Sequence, residues 1–251
     1  MHYISDLTDS QWDIIKVYFP YKRKRKYELR GIFNAIFYVV KTGCQWRLLP
    51  VDFAPWPVVY YYFKRWREDG SWEEFLDLMR EKTRKKAGKA AQPTAACLDC
   101  QSVKTSLKGG ARGIDGNKKI KGRKRHILTD TTGLIMGIQV HPANEHESKT
   151  AMALLHTVKY KYAQLQTIFA DQAYRGKLLE QVKQAFGWQI NIVAKQPDKK
   201  GFQLLPKRWV IERTFAWLEP YRRLAKDFEL LPASAEACIQ IAAIRLMINR
   251  L

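Results

Sequence analysis

The spacing of apolar residues changes near residue 90, and this change constrains the fold more than any other feature of the sequence. Before it, apolar residues recur at helical spacing, whereas after it short apolar runs alternate with helix-like segments. Small residues and a proline occupy residues 87–93, which is the composition of a linker. We therefore predict two domains, an all-α domain over residues 1–90 and a second domain over residues 94–251.

The N-terminal part predicts four helices. Thr8 and Gln11 have the spacing of a capping box, in which each side chain bonds the backbone N–H of the other residue, and Ser71 and Glu74 repeat this spacing. Gly43 is a typical stop after the second helix. The four predicted helices cover residues 9–19, 28–42, the aromatic segment around 60–66, and 71–86.

The second part predicts a mixed sheet with helices on its faces. Thr132 and Gly133 mark the turn of a hairpin, and helices and strands alternate after it. The predicted strands cover residues 94–99, 126–133, 134–140, 166–171 and 189–193, and the predicted helices cover residues 147–162, 176–186, 207–218 and 233–250. The predicted fold class is therefore α/β, preceded by an all-α domain.

Three carboxylates have the spacing of a possible active site. Two of the predicted buried strands end at an aspartate, Asp99 and Asp171, and carboxylates at the ends of neighbouring buried strands converge outside a sheet. Glu212 shares a face of a predicted helix with Arg208. Three carboxylates beside an arginine suit Mg²⁺, and a pair of such ions catalyses phosphodiester transfer. The alternatives are turn-capping aspartates and a surface ion pair between Arg208 and Glu212.

The chain carries a large positive charge. Its 251 residues include 44 Lys and Arg against 24 Asp and Glu, a formal charge of +20. Because hydrophobic residues make up 46%, this charge does not indicate disorder. It favours a polyanionic partner, with nucleic acid first and an anionic membrane surface second. Six of the eight residues 118–125 are basic, as are residues 22–26, and we interpret both runs as phosphate-binding tracks rather than as solvated faces.

Several other classes of protein are disfavoured. No apolar run reaches the roughly 18 residues of a membrane span, and the N-terminus does not have the form of a secretory signal. We therefore expect a cytoplasmic, nucleoid-associated protein with no membrane partner and with reduced cysteines. Cys97 and Cys100 lack a second pair for zinc, and His141 and His146 are expected to be capping or surface residues in a loop. No glycine motif for ATP or NAD is present.

Four segments of the second part form an ordered set of motifs. They are DCQSVKT at residues 99–105, KGRKRHI at 121–127, ADQAYRG at 170–176 and RWVIERTFAWL at 208–218. Together they resemble the motifs of DDE-type transposases of bacterial insertion sequences, in insertion-sequence family five, a family four/five-like group. Residues 7–12, 34–38, 42–47 and 60–63 resemble the helical domain that precedes catalysis in the same group. The similarity spans nearly the whole chain and implies an RNase H-like fold, which agrees with the predicted order of elements.

The resemblance also implies specific site residues. It assigns the acidic triad to Asp99, Asp171 and Glu212, both as catalytic residues and as ligands of Mg²⁺, for which Mn²⁺ can substitute. Cys100 stands where the family has a serine, a change that we do not expect to inactivate the site.

The family's signature around the last acid is Tyr-x2-Arg-x3-Glu-x6-Lys, and the chain follows it only in part. Arg208 and Glu212 match, whereas Leu205 and Glu219 stand at the Tyr and Lys positions. The missing lysine puts one DNA contact in doubt, but two arginines lie about one turn further along and are placed to supply it. The residues expected to bind DNA are Arg208, Lys121, Arg123, Lys124, Arg125, Arg222 and Arg223.

The implied function is that of a transposase. Such a protein binds double-stranded DNA, both the terminal inverted repeats of its element and the target, and acts as a homo-oligomer on DNA. Water activated by the metal cuts at the ends of the element, and the freed 3′-hydroxyl attacks the target. Residues 1–90 are expected to fold marginally and to recognise the ends. The alternatives are an inactive protein that only occupies element ends and a nuclease that cuts without joining.

Overall fold

Helices flank a six-stranded sheet in residues 2–19, 26–106, 110–193 and 207–251, the part of the chain that the computed structural model describes. The helices are α1 (Asp9–Lys16), α2 (Leu29–Thr42), α3 (Trp56–Glu68), α4 (Ser71–Lys86), α5 (Glu147–Val158), α6 (Lys177–Phe186), α7 (Arg208–Leu218) and α8 (Pro232–Ile248). The strands are β1 (Ala95–Lys104), β2 (Gly113–Asp115), β3 (Ile120–Asp130), β4 (Ile135–Pro142), β5 (Thr167–Ala170) and β6 (Gln189–Ile192). Among these helices, none combines the length and the apolar composition that crossing a bilayer requires.

The sheet combines an antiparallel half with a parallel half. β1 pairs antiparallel with β3, and β3 pairs antiparallel with β4. On its other edge β1 pairs in parallel with β5, which pairs in parallel with β6. The short β2 pairs with the beginning of β3. Three long antiparallel strands followed by two parallel strands form the order of an RNase H-like sheet, and the predicted fold class is confirmed.

The capping signals of the N-terminal helices have mixed outcomes. The box of Thr8 and Gln11 is present, with the Gln11 N–H donating to the Thr8 hydroxyl at 3.2 Å. Gly43 ends α2 with a left-handed φ of +73°, as predicted. The second box is wrong, because Ser71 is already the first residue of α4 and donates instead to Asp69. The first helix also ends before Phe19, at Lys16.

The strands around the hairpin are longer than predicted. β1 continues past Asp99 to Lys104, where it pairs with the first half of β3. β2 has no counterpart in the prediction. The added strand residues are mainly polar or basic, so neither an apolar run nor an alternation marked them as strand. Their pairing comes from residues that lie some 20 positions apart in the sequence.

A hydrophobic core on one face of the sheet joins the N-terminal helices to the C-terminal helix. Phe33 of α2 and Met79 of α4 are completely buried in the same cluster as Ile239 of α8. Helix α8 packs on α2, α3, α4 and β4. Arg84 of α4 forms a buried ion pair with Asp130 at the end of β3. The helical part and the sheet therefore share one core, and residues 1–90 bury part of their apolar surface against α8 and β4.

A second core lies under α5 and α6 on the other face of the sheet. Side chains alternate across β1, so that Cys97 packs into the core of α7 and α8, whereas Ala96 and Leu98 pack under α5 and α6. Layers on both faces therefore fix β1, the strand that carries Asp99.

Candidate active site

Asp99 and Asp171 are neighbours because their strands pair in parallel. Leu98 of β1 pairs with Ala170, the last residue of β5, and each aspartate directly follows one member of this pair. Both aspartates line the same cleft, which has a volume of about 510 Å³. The structure thus brings together the two carboxylates that end the apolar runs.

Backbone donors orient both aspartates. Asp99 Oδ1 accepts a hydrogen bond from its neighbour, the N–H of Cys100, at 2.8 Å. Asp171 Oδ1 accepts one from the N–H of Ala173 at 2.8 Å, which caps a short 3-10 turn that follows β5. Asp171 therefore fills the turn-capping role that was its structural alternative. This role also fixes the direction of the carboxylate at the cleft.

The charge on Asp99 is poorly compensated. Burial raises the pKa of Asp99 to about 6, and the negative charge of Asp171 adds to this effect. The Cys100 N–H, Arg208 and Lys118 act in the opposite direction without cancelling it. A bound cation would favour the ionised form and lower the pKa again, which is the behaviour of a carboxylate pair suited to a cation.

Glu212 reaches the aspartate pair only through Arg208. Nε of Arg208 lies 3.4 Å from a Glu212 carboxylate oxygen, and its Nη2 lies 3.7 Å from Oδ2 of Asp171. The Glu212 side chain is 56% exposed. Within the described ranges, no three side chains of His, Cys, Asp or Glu lie close enough together to hold one metal ion. The predicted triad is therefore present as a pair of aspartates with Glu212 on the far side of an arginine.

The cleft also contains carboxylates that were not predicted as site residues. Asp115, Lys118 and Glu147 line it together with Lys124. They come from the end of β2, the turn after it and the start of α5. The pairing of β3 with β1, β2 and β4 brings these segments to Asp99. Glu147 opens a helix directly after the hairpin, and this position is the one signal that was available in the sequence.

Lys124 is held inside the cleft wall by two carboxylates. Its ammonium lies 3.0 Å from Glu147 and 3.9 Å from Asp115, and its side chain is only 9% exposed. Asp115 in turn accepts a hydrogen bond from the Ser102 hydroxyl at 2.5 Å. Lys124 is thus a fixed positive charge at the site and not part of a surface track.

The two arginines on either side of Lys124 are interior residues. This corrects the expectation that they belong to a phosphate-binding track on the surface. Arg123 is fully buried and forms a 3.0 Å ion pair with Asp227. Arg125 is also buried and donates to the backbone carbonyl of Leu224 at 2.7 Å. Both arginines fasten β3 to the segment between α7 and α8. A surface role in DNA binding is therefore wrong for both, whereas Lys121 of the same run is exposed.

The arginines near the missing family lysine differ from each other. Arg222 is exposed, but Arg223 is buried, paired with Glu229 at 2.6 Å, and donates to the carbonyl of Cys44. Only the first is free to take the role of a DNA contact, so the expectation is corrected for Arg223. Glu219 is exposed at the end of α7. Four of the five residues in the basic run 22–26, and Leu205, lie outside the described residues.

The two histidines of the predicted loop have different positions. His146 caps α5, since its ring nitrogen accepts from the N–H of Ser148, as expected of a capping residue. His141 is not in a loop but is buried in β4, where it contacts His126.

Curated relatives of the chain are transposases. It is 28% identical over 115 residues to the "Putative transposase for insertion sequence element IS402" of Burkholderia cepacia, a match that covers 43% of this chain and 54% of that protein. It is 24% identical over 227 residues to the "Transposase for insertion sequence element IS1106" of Neisseria meningitidis serogroup B, covering 76% and 77%. The chain thus spans about half the length of the first relative and about three quarters of the second.

Among solved structures, the chain is similar to a protein in the "Crystal structure of the Mos1 Strand Transfer Complex". The sequence identity is 11%, the match covers 92% of this chain and 78% of that one, and the TM-score is 0.29.

Two family models match the sequence. Residues 7–76 match the model described as "Putative transposase of IS4/5 family (DUF4096)". Residues 90–247 match the model described as "Transposase DDE domain", which covers more than half of the chain and includes both aspartates of the cleft. The chain therefore belongs to the family of transposases with a DDE domain.

Proposed function

We propose that this protein is an insertion-sequence transposase that binds the ends of its element, cuts the DNA there and joins the freed ends to target DNA. The observation that carries the proposal is the convergence of Asp99 and Asp171 in one cleft of the domain that matches the DDE family. Family membership supports a transposition enzyme. The cutting and joining steps, and the partner DNA, are proposed from the chemistry of the cleft.

The cleft suits a divalent cation. Its two aspartates offer hard oxygen ligands, and a cation between them would favour the ionised form of the buried Asp99. Asp99 and Asp171 would hold Mg²⁺, or Mn²⁺ in its place, and Glu212 would complete the set after exchanging its contact with Arg208. A metal held there would supply a lowered pKa of bound water and stabilisation of the leaving oxygen of a phosphodiester.

The cations around the cleft would bind and orient the DNA. Arg208 lies between two of the acids, and its planar guanidinium suits a phosphate once a carboxylate releases it. Lys124 is fixed in the wall of the cleft, and the exposed Lys118 also lines it. Exposed Lys121 and Arg222 would contact phosphates further along the duplex.

The charge of the chain supports a DNA partner. A net charge of +20 attracts a polyanion, and each phosphate contact releases counterions, so binding should weaken steeply as salt rises. We further propose that the two ends of the element are bound by a homo-oligomer in the bacterial cytoplasm or nucleoid. In that assembly, residues 1–90 contribute to recognition of the terminal repeats.

The test uses a short DNA element with candidate terminal repeats, incubated with the full-length protein and Mg²⁺. The readout separates nicked from joined products. Asp99→Asn and Asp171→Asn should each lower cleavage by about a thousandfold or more with DNA binding nearly retained, because each removes a ligand charge while keeping shape. Asp13→Asn, a change at an exposed residue of α1, is the matched control.

Each alternative function has its own outcome in this assay. Cleavage without joined products indicates a nuclease and contradicts the strand-transfer step. Binding without any cleavage indicates a protein that only occupies the ends. Cleavage by an Asp99 or Asp171 variant within about tenfold of the parent would show that these residues are not catalytic.

A further inference from the structure

Three buried side chains form a hydrogen-bonded chain behind the aspartate pair, which we call the His relay: Tyr174, His126 and His141. The Tyr174 hydroxyl lies 2.6 Å from Nε2 of His126, and Nδ1 of His126 lies 3.0 Å from Nε2 of His141. Nδ1 of His141 lies 3.0 Å from the carbonyl oxygen of Pro142. Because Tyr174 and His126 are completely buried, these bonds satisfy polar groups that have no access to water.

The carbonyl at the end of the relay sets a consistent pattern of protons, in which the Thr150 hydroxyl, 3.1 Å from Nδ1 of His126, accepts from that ring and donates to the Glu147 carbonyl. A carbonyl oxygen only accepts, so Nδ1 of His141 carries its proton, and Nε2 of the neutral ring is an acceptor. His126 must then donate from Nδ1 and accept at Nε2, and the Tyr174 hydroxyl donates to it. Burial lowers the pKa of both histidines, and that of His126 to about 3, so both rings are neutral at pH 7.

The relay connects the backbone segments that carry the two aspartates. Tyr174 closes the 3-10 turn that Asp171 caps. His126 lies on β3 directly opposite Cys100, the neighbour of Asp99. Because β1 lies between β3 and β5 in the sheet, the bond between Tyr174 and His126 crosses β1. It connects the turn that Asp171 caps to β3, the strand that pairs with the strand of Asp99.

We propose that Tyr174 is a positioning residue that sets the distance between the Asp171 and Asp99 carboxylates for a divalent cation, acting through its bond to His126. This inference rests on the metal site of the proposed function. Tyr174 and His126 are not among the residues that line the cleft, so they act without touching the cation. Removing an outer partner that orients a metal ligand typically costs about 10- to 100-fold in metal affinity.

The test compares Tyr174→Phe with Tyr162→Phe in the full-length protein. Tyr162 is a matched control because it is also completely buried, and its hydroxyl donates to the Met136 carbonyl at 2.8 Å away from the cleft. Calorimetric titration with Mn²⁺ in the absence of DNA measures binding without requiring activity. Tyr174→Phe should weaken Mn²⁺ binding by about tenfold or more, and Tyr162→Phe should leave it unchanged although it also loses a buried hydrogen bond.

The outcomes separate a positioning role from a structural one. Equal Mn²⁺ affinity in both variants and the parent overturns the inference, as does an equal loss in both. A parent protein that binds no Mn²⁺, or whose binding survives Asp99→Asn, overturns it as well. A parent that binds Mn²⁺ through Asp99 but never cuts DNA contradicts the proposed function while leaving the inference intact.

A measurement on the unaltered protein covers the case in which Tyr174→Phe does not fold. Nitrogen-15 NMR of the histidine side chains reports which ring nitrogen carries the proton. The relay requires the Nδ1–H form for both His126 and His141. A nitrogen-15 shift at Nε2 of His126 typical of a ring nitrogen without a hydrogen bond would show that Tyr174 does not bond it and would overturn the inference.

Discussion

Replacing Asp99 by asparagine should stabilise the metal-free protein at neutral pH while abolishing cleavage. Burial raises the pKa of Asp99 to about 6 against an ordinary value of 3.8, so ionising this carboxyl opposes folding. At about 1.4 kcal/mol per pH unit, the difference between the two pKa values corresponds to at most about 3 kcal/mol. The cost is absent at low pH, where the carboxyl is protonated in both states. It grows between about pH 4 and pH 6 and is complete above pH 6.

The assay is urea unfolding in the presence of a chelator, with Asp13→Asn as the control for a change at an exposed aspartate. Asparagine keeps the oxygen that accepts from the Cys100 N–H, so the substitution removes mainly the charge. At pH 7.5 the free energy of unfolding of Asp99→Asn should exceed that of the parent by up to about 3 kcal/mol. This difference should become smaller toward pH 4 and on addition of Mg²⁺. A variant that is no more stable than the parent at pH 7.5 refutes the reasoning.

Three further predictions concern the correction of the basic run, the DNA contacts and the shared core. Arg123→Ala should lower the free energy of unfolding by about 3–5 kcal/mol, because it leaves Asp227 buried without its partner, as chemical denaturation would show. Replacing the three exposed lysines of residues 118–121 should reduce the slope of log affinity for DNA against log salt concentration by up to about 3. An unchanged slope would show that these lysines do not contact phosphates. A fragment of residues 1–90 should show no cooperative thermal unfolding by circular dichroism, because it lacks α8; a sharp transition would contradict the shared core.

The sequence was most informative where a run of apolar residues ends at a charged residue. The apolar runs of β1 and β5 predicted two buried strands, and the aspartates that end these runs predicted where the strands meet at the cleft. Helical spacing placed α2, α7 and α8 to within about two residues of their observed ends. These features depend on local periodicity, which a single sequence displays directly.

The sequence was least informative where burial depends on a distant partner. Arg123 and Arg125 have the composition of a surface track, yet both are buried because Asp227 and the carbonyl of Leu224 lie about 100 positions further along the chain. Glu147 enters the cleft for a comparable reason, since Lys124 meets it only after β3 pairs with β4. No window of local sequence contains either partner. The charge pattern alone therefore could not distinguish an interior arginine from a DNA contact.

Buried and exposed arginines contribute differently to the charge that the protein presents to a partner. Among the described residues, six arginines are buried, Arg80, Arg84, Arg123, Arg125, Arg223 and Arg245. Arg84, Arg123 and Arg223 pair with buried carboxylates and add no net charge at those places, so the surplus of +20 belongs mainly to exposed lysines and arginines.

At the cleft the local charge has the opposite sign, because Asp171 lies close enough to Asp99 to raise its pKa despite the basic surface. A phosphate that enters the cleft would be repelled by both carboxylates at short range. The attraction of the more distant lysines is weakened by solvent and salt. A divalent cation would reverse the local sign and allow a phosphate to approach. By linkage, DNA bound at the cleft would then raise the affinity for the cation by the same factor by which the cation raises the affinity for DNA.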